Sequence, residues 1–343
     1  MKEQKLHSHQ SGRIKSTIIL VSILFVASVA GISSIVLIRK SKQLDMSFAY
    51  NSEKMIYNDS TEGHIQTADG FAADLCVSKE DVGNSNITME GNSVGALFSL
   101  DDEEIIFSAS LHERIYPASI TKIMTAILAS KYGNMDDVVT ITWEDLELEE
   151  GSQVCGFKIG DQVTMDNLFH GLLIHSGNDA AMAIGRHIAG SVNKFVEMMN
   201  EEAETIGAFD THFMNPSGLH DENHYTTVYD IYLMLNEAMN YSHFVDVMQL
   251  SVYEINYSDA EGVQQSVTVD STDRYLIKTA VPPKGVTVLG GKTGTTDQAG
   301  SCLAIVSQNA YGKPYISIVM RALGKDSLYN QMNMLLEASN ADY

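Results

Sequence analysis

The chain has 343 residues, 44% hydrophobic and 19% charged, enough for one large globular domain or two ordinary ones. Its net charge of −22 is unevenly spread: the first 42 residues hold seven Lys or Arg against Glu3 alone, which leaves 15 basic and 43 acidic residues beyond them, a net of −28. So acidic a body repels nucleic acid, whose phosphates need Lys and Arg, and resists docking on anionic lipid.

From Ser16 to Ile38 run 23 residues without a charge. A helix rising about 1.5 Å per residue crosses a hydrocarbon core of about 30 Å over that length. A shorter apolar core, Ile18 to Ala27, followed by Ser28-Val29-Ala30, is also compatible with a cleaved signal peptide. Hydrophobicity continues through Ile35, Val36, Leu37 and Ile38 to Arg39-Lys40, so residues 16–38 are read as an uncleaved transmembrane anchor behind a cytoplasmic tail, 1–15. Lys and Arg on both flanks leave the orientation undecided by charge, and first-span precedent puts the bulk of the chain outside the membrane. Residues 39–90 are polar and read as a stalk, with Phe71 and Leu75 able to dock part of it onto the body, residues 91–343.

Two apolar runs, Val94–Ser99 and Glu104–Ser108, flank Asp101-Asp102-Glu103 and predict a β-hairpin. Ile120, Ile123, Met124, Ile127 and Leu128 recur at helical spacing, and Gly133 stops that helix. Thr164 is placed to cap a helix reaching Ile174, and another ends at Gly190. Val192, Phe195, Val196 and Met199 form an amphipathic face, as do Val228, Ile231, Tyr232 and Leu235. Beyond residue 250 the pattern turns strand-like at 252–255, 265–269, 286–289, 301–307 and 315–321, and a closing helix spans 327–338. Strands at both ends of the body with helices between imply an α/β fold: an antiparallel sheet built from the N- and C-terminal strands, with a helical subdomain inserted. Cys76, Cys155 and Cys302 have no metal-ligand spacing, and no disulfide is expected.

Three short motifs follow one another through the body: Ser119-Ile120-Thr121-Lys122, Ser176-Gly177-Asn178 and Lys292-Thr293-Gly294. A Ser-x-x-Lys alone arises roughly once by chance in a chain of this size. Ser191-Val192-Asn193-Lys194 is such a case, a serine that reads as a helix N-cap after Gly190. Ser119 and Lys122, three apart on a helix, share a face. A lysine serves as a base for serine only when burial or a neighbouring cation depresses its pKa. Lys292 is that second cation if the fold brings the motifs together. His220 and His224, four apart, with Asp210, His212, Asp221 and Glu222 nearby, have the residue types of a zinc site. Their surroundings read as a loop, so no metal and no cofactor is expected. His112, His170, His175 and His187 read as packing or surface residues.

The ordered set resembles the active-site motifs of penicillin-binding proteins and serine β-lactamases. Pro117–Thr125, His175–Ala181, Asn215-Pro216-Ser217-Gly218-Leu219 and Gly290–Thr296 are similar to the low-molecular-mass D-alanyl-D-alanine carboxypeptidases, over about Val94 to Leu336. That resemblance implies an αβα sandwich with a helical subdomain. It also implies a serine D,D-carboxypeptidase that trims the terminal D-alanine from peptidoglycan stem peptides and is acylated by β-lactam antibiotics. Its catalytic residues would be Ser119, Lys122 and Ser176; Asn178, Lys292, Thr293, Gly294 and Thr295 would bind substrate. The implied place is the bacterial cell membrane, anchored by one N-terminal helix with the catalytic domain extracellular. An extra positive charge for the substrate carboxylate is sought among Arg321, Arg274 and Lys278. Two other readings compete. A class A β-lactamase needs a glutamate where Tyr232-Leu233-Met234-Leu235-Asn236 has tyrosine, and a β-lactam sensor or non-catalytic wall-binding protein would bind without turnover.

Overall fold

The computed structural model describes residues 74–340. The hairpin forms as β1 (Val94–Ser99) and β2 (Glu104–Ala109). A four-residue 3₁₀ turn, Ala118–Thr121, leads into α1 (Lys122–Tyr132), which ends at Gly133. Then come β3 (Val138–Thr140), α2 (Trp143–Leu146), β4 (Gln162–Thr164) and α3 (Met165–His170). The Thr164 hydroxyl caps α3 by accepting from the Asn167 N–H at 3.2 Å. One wide π turn, Gly171–His175, separates α3 from α4 (Asn178–Ala189). Next are α5 (Val192–Thr205), α6 (Val228–Ala238) and α7 (Ser242–Met248). The chain closes with β5 (Val252–Ser258), β6 (Gln264–Asp270), β7 (Thr287–Thr296), β8 (Gly300–Gln308), β9 (Pro314–Ala322) and α8 (Lys325–Ala338).

Terminal strands make one five-stranded antiparallel sheet in the order β2-β1-β9-β8-β7, with β7 at its edge. Every residue of β1 is buried, as expected of a strand covered on both faces. Successive side chains point to opposite faces, and Leu97 and Phe98 show it. Leu97 belongs to the cluster that joins Leu303, Ile305 and Val319 to Leu328, Met332 and Leu335 of α8. Phe98 stacks on Tyr232 of α6, with ring centroids 4.1 Å apart. Helices therefore cover both faces of the sheet, which is the expected αβα sandwich.

One feature differs from the sequence reading. Strands β5 and β6 do not join the terminal sheet; they pair with β3 and β4 in a second antiparallel sheet, β3-β4-β5-β6. Most residues of β6 are exposed or half-buried, which fits a one-faced sheet and not an interior strand. Residues 74–90, the end of the segment read as a stalk able to dock in part through Leu75, lie against the body. Cys76 is fully buried, its N–H donates to the Tyr232 hydroxyl at 3.0 Å, and Ile87 joins the α8 cluster. Among the described residues no helix is long and apolar enough to cross a membrane; segments 1–15, 16–38 and most of 39–90 lie outside them.

Candidate active site

Ser119 sits on the 3₁₀ turn that precedes α1, and Lys122 is the first residue of that helix. Residues Lys122 to Ala129 are all buried, so α1 is a central strut, each large apolar side chain contributing roughly 1.5–3 kcal/mol. Lys122 itself is fully buried. Its Nζ lies 2.9 Å from Ser119 Oγ, 2.7 Å from Asn178 Oδ1 and 2.6 Å from the Ser217 carbonyl. The third contact comes from the Asn215–Leu219 loop. There Asn215 Oδ1 accepts from the N–H groups of Ser217, Gly218 and Leu219 at 2.8–3.2 Å. Gly218, at φ +84°, lies so close to the Ala118 carbonyl that a side chain would strike it. Thr125 Oγ1 donates to the Pro216 carbonyl at 2.7 Å, and Thr121 Oγ1 meets His224 Nε2 at 2.9 Å. His224 is thus a packing group: burial pushes its pKa down to about 3, and it stays neutral.

The π turn after α3 delivers the second motif. Ser176 ends it in the left-handed region, φ 65°, a conformation that costs a non-glycine residue about 1–3 kcal/mol and collects at functional sites. Gly177 N–H donates to the Gly171 carbonyl and Asn178 N–H to the Gln153 carbonyl, at 3.0 and 2.8 Å. Asp179, buried at the start of α4, accepts from the backbone N–H groups of Cys155 and Gly156 at 2.9 and 3.0 Å, tying down the loop beside the motif.

The third motif lies in the middle of edge strand β7. Lys292 is buried, and its Nζ donates to Ser176 Oγ at 2.8 Å. Thr293 Oγ1 meets Thr272 Oγ1 at 2.5 Å. A side chain on Gly294 would stand 3.0 Å from the Ser119 amide nitrogen and 3.2 Å from that of Ile120. Glycine is therefore what lets β7 close against the Ser119 turn. An open cleft of about 220 Å³ runs between these elements, lined by Ser119, Ser176, Thr293, Gly294 and Thr295 together with Lys325.

Burial sets the electrostatics. Lys122 is held well below the ordinary lysine range by desolvation first and by the charge of Lys292 second, against the pull of Asp179. Lys292 is pushed down to about 7 by burial, which buried Asp273 opposes. An amine held well below the ordinary lysine range, 2.9 Å from a hydroxyl, can take the hydroxyl proton and free the oxygen for attack.

All eight residues picked from sequence converge here from the Ser119 turn with α1, the π turn with α4, and β7. The three cations sought for a substrate carboxylate do not line the cleft. Arg321 pairs with Glu113 and lines a different hollow with Arg114, Tyr116 and Tyr225. Arg274 pairs with Asp326 at 2.7 Å. Lys325, at the start of α8, does line it, as do Gln153 and Thr272, and none of the three carries a local sequence signal. Ser191 caps α5 by accepting from the Lys194 N–H at 3.3 Å, as expected.

The sequence model of the D-alanyl-D-alanine carboxypeptidases matches residues 92–324. D-alanyl-D-alanine carboxypeptidase DacF of Bacillus subtilis is 30% identical over 280 residues, 80% of this chain and 68% of that protein. D-alanyl-D-alanine carboxypeptidase DacD of Escherichia coli is 32% identical over 64% of this chain and 55% of its own length. Among solved structures, the Streptomyces K15 DD-transpeptidase is similar with a TM-score of 0.67 at 25% identity, over 75% of this chain and 99% of that one. The chain thus spans about two thirds of the first relative and about half of the second.

The depressed Lys292 pKa has a measurable effect on stability. An unfolded lysine keeps its proton to 10.5, whereas the buried one loses it near 7. Between those values the unfolded chain binds more protons, so this residue makes stability rise with pH. Replacing Lys292 by Met should flatten the pH dependence of urea-measured stability between pH 7 and 9.5, by up to about 1.4 kcal/mol per pH unit. Equal slopes in both proteins would contradict the assignment.

Proposed function

Because the chain belongs to the D-alanyl-D-alanine carboxypeptidase family of serine peptidases, we propose that it removes the terminal D-alanine from peptidoglycan stem peptides through an acyl-enzyme on Ser119. The observation that carries this reading is the pair of short contacts across one cleft, Lys122 Nζ to Ser119 Oγ and Lys292 Nζ to Ser176 Oγ. Lys122 takes the Ser119 proton as the hydroxyl attacks the carbonyl of the penultimate D-alanine. Ser176, facing Lys292, passes a proton to the leaving amine of the terminal D-alanine. Asn178 holds the peptide backbone, and Lys292, Thr293 and the cleft-lining Lys325 receive the terminal carboxylate. The Ser119 and Thr295 amides serve as the oxyanion hole, each such donor typically contributing about 3–4 kcal/mol to barrier lowering. Gly294 lets substrate lie close to the strand, and water then hydrolyses the acyl-enzyme. β-Lactams acylate Ser119 as mimics of the D-alanyl-D-alanine end.

Tyr232 supports the peptidase over a class A β-lactamase. It is a core residue stacked on Phe98, and places no carboxylate at the position where the β-lactamase reading needs one. We further propose that residues 16–38 anchor the chain in the bacterial membrane with the catalytic domain outside. The segment 16–38 should be retained in membrane-extracted protein, as read by N-terminal sequencing or intact mass; a start near Gly31 would mean a cleaved signal peptide.

The activity is tested with the full chain in detergent, following free D-alanine released from diacetyl-lysyl-D-alanyl-D-alanine. The wild type should release it, and Ser119→Ala should fall to the uncatalysed background. Release that survives the substitution would remove Ser119 from the mechanism. No release by a wild type that penicillin still labels at Ser119 would point to a sensor or to cross-linked substrates.

A further inference from the structure

Away from the cleft, α3 and α7 bring together three groups that the reaction does not use. Asp166 and His170 lie one turn apart on α3, on the same face of the helix, and His243 comes from the first turn of α7. One ligand atom from each lies within 4.8 Å of the others. The rings are held by packing: His170 lies flat on Tyr253 at 3.7 Å, and His243 rests against Phe169 at 4.8 Å.

His243 Nε2 is buried and makes no hydrogen bond among the described residues, although Asp166 Oδ1 is only 3.1 Å away. Two atoms bound to one tetrahedral zinc at about 2.0–2.1 Å stand roughly 3.3 Å apart. The Asp166–His243 approach therefore has the spacing of two ligands of one ion, without the alignment of a hydrogen bond. His170 Nδ1 lies 2.8 Å from the Asp166 carbonyl and 3.6 Å from Asp166 Oδ2. Binding through that nitrogen would exchange the carbonyl contact for the ion; otherwise the contact orients the ring. Two imidazoles with one carboxylate suit zinc better than the all-oxygen preferences of calcium or magnesium.

We propose that Asp166, His170 and His243 form a zinc site that clasps α3 to α7. Its place in the fold gives it a role. Helix α3 runs directly into the π turn that ends at Ser176. The end of α7 abuts β7 at Gly290, where a side chain would strike the Met248 carbonyl. A bound ion would fasten the supports of Ser176 and Lys292 together, and the protein should melt at a higher temperature when zinc is present.

The test is isothermal titration of zinc chloride into the chelator-stripped full chain, in detergent and without affinity histidines, beside His243→Ala and the near-isosteric Asp166→Asn. Because His7, His9 and His64 can also take zinc, the reading is the difference between proteins. The wild type should bind one zinc per chain more than either variant, with a rise in melting temperature that both variants lose. His187→Ala, which disturbs only the pair with Asp137 at 3.0 Å, should retain both. Equal stoichiometry and affinity in the wild type and in either ligand variant would overturn the site. The readout is binding, so it stands apart from the peptidase assay.

Discussion

Two buried lysines stand behind the motif serines, each within hydrogen-bond reach of one of them, and the rest of the structure answers to that constraint. Lys122 and Lys292 are almost fully shielded from water, and among the described residues no carboxylate stands within ion-pair distance of either. A buried ammonium without a paired anion is expensive, and the least costly response is to lose its proton. Neutral acceptors surround Lys122 instead: a hydroxyl, a side-chain amide and a backbone carbonyl. The same burial that costs stability supplies an amine able to act as a base near neutral pH.

Holding that arrangement needs strain and the packing to sustain it. Each motif serine sits at or beside a left-handed residue, Ala118 at φ 48° and Ser176 at φ 65°. Such conformations persist only where their surroundings leave no alternative. Gly218 and Gly294 press against the first turn from two sides, and Asn215 fixes the loop that carries Gly218. The wholly buried face of α1 and the two-sided sheet provide the rigidity. Site and core are therefore one structure: α1 is both the central helix and the carrier of Lys122.

Much of this was legible in the chain because its signals are local. Helices α4, α5 and α6 show their apolar periodicity, Gly133 and Gly190 mark ends, and Ser191 reads as a cap. The motif residues were found by order and company, since none is distinctive alone. What stayed hidden was non-local or short. Strands β3 and β4 have three residues each, too few to display alternation, so the partners of β5 and β6 could not be read. The way residues 74–90 dock depends on Tyr232, far along the chain. Lys325 reaches the cleft only because α8 begins there. The Asp166–His170–His243 cluster likewise needs α7 folded back onto α3.

The central claim is that burial of the lysine pair creates the base that activates Ser119. The most direct test is the rate at which benzylpenicillin acylates Ser119, followed from pH 5 to pH 10. Acylation should rise with pH through an apparent pKa well below that of an ordinary lysine, belonging to the two interacting lysines together. A rate that stays flat through neutral pH and climbs only toward 10, where an ordinary lysine loses its proton, would contradict the account.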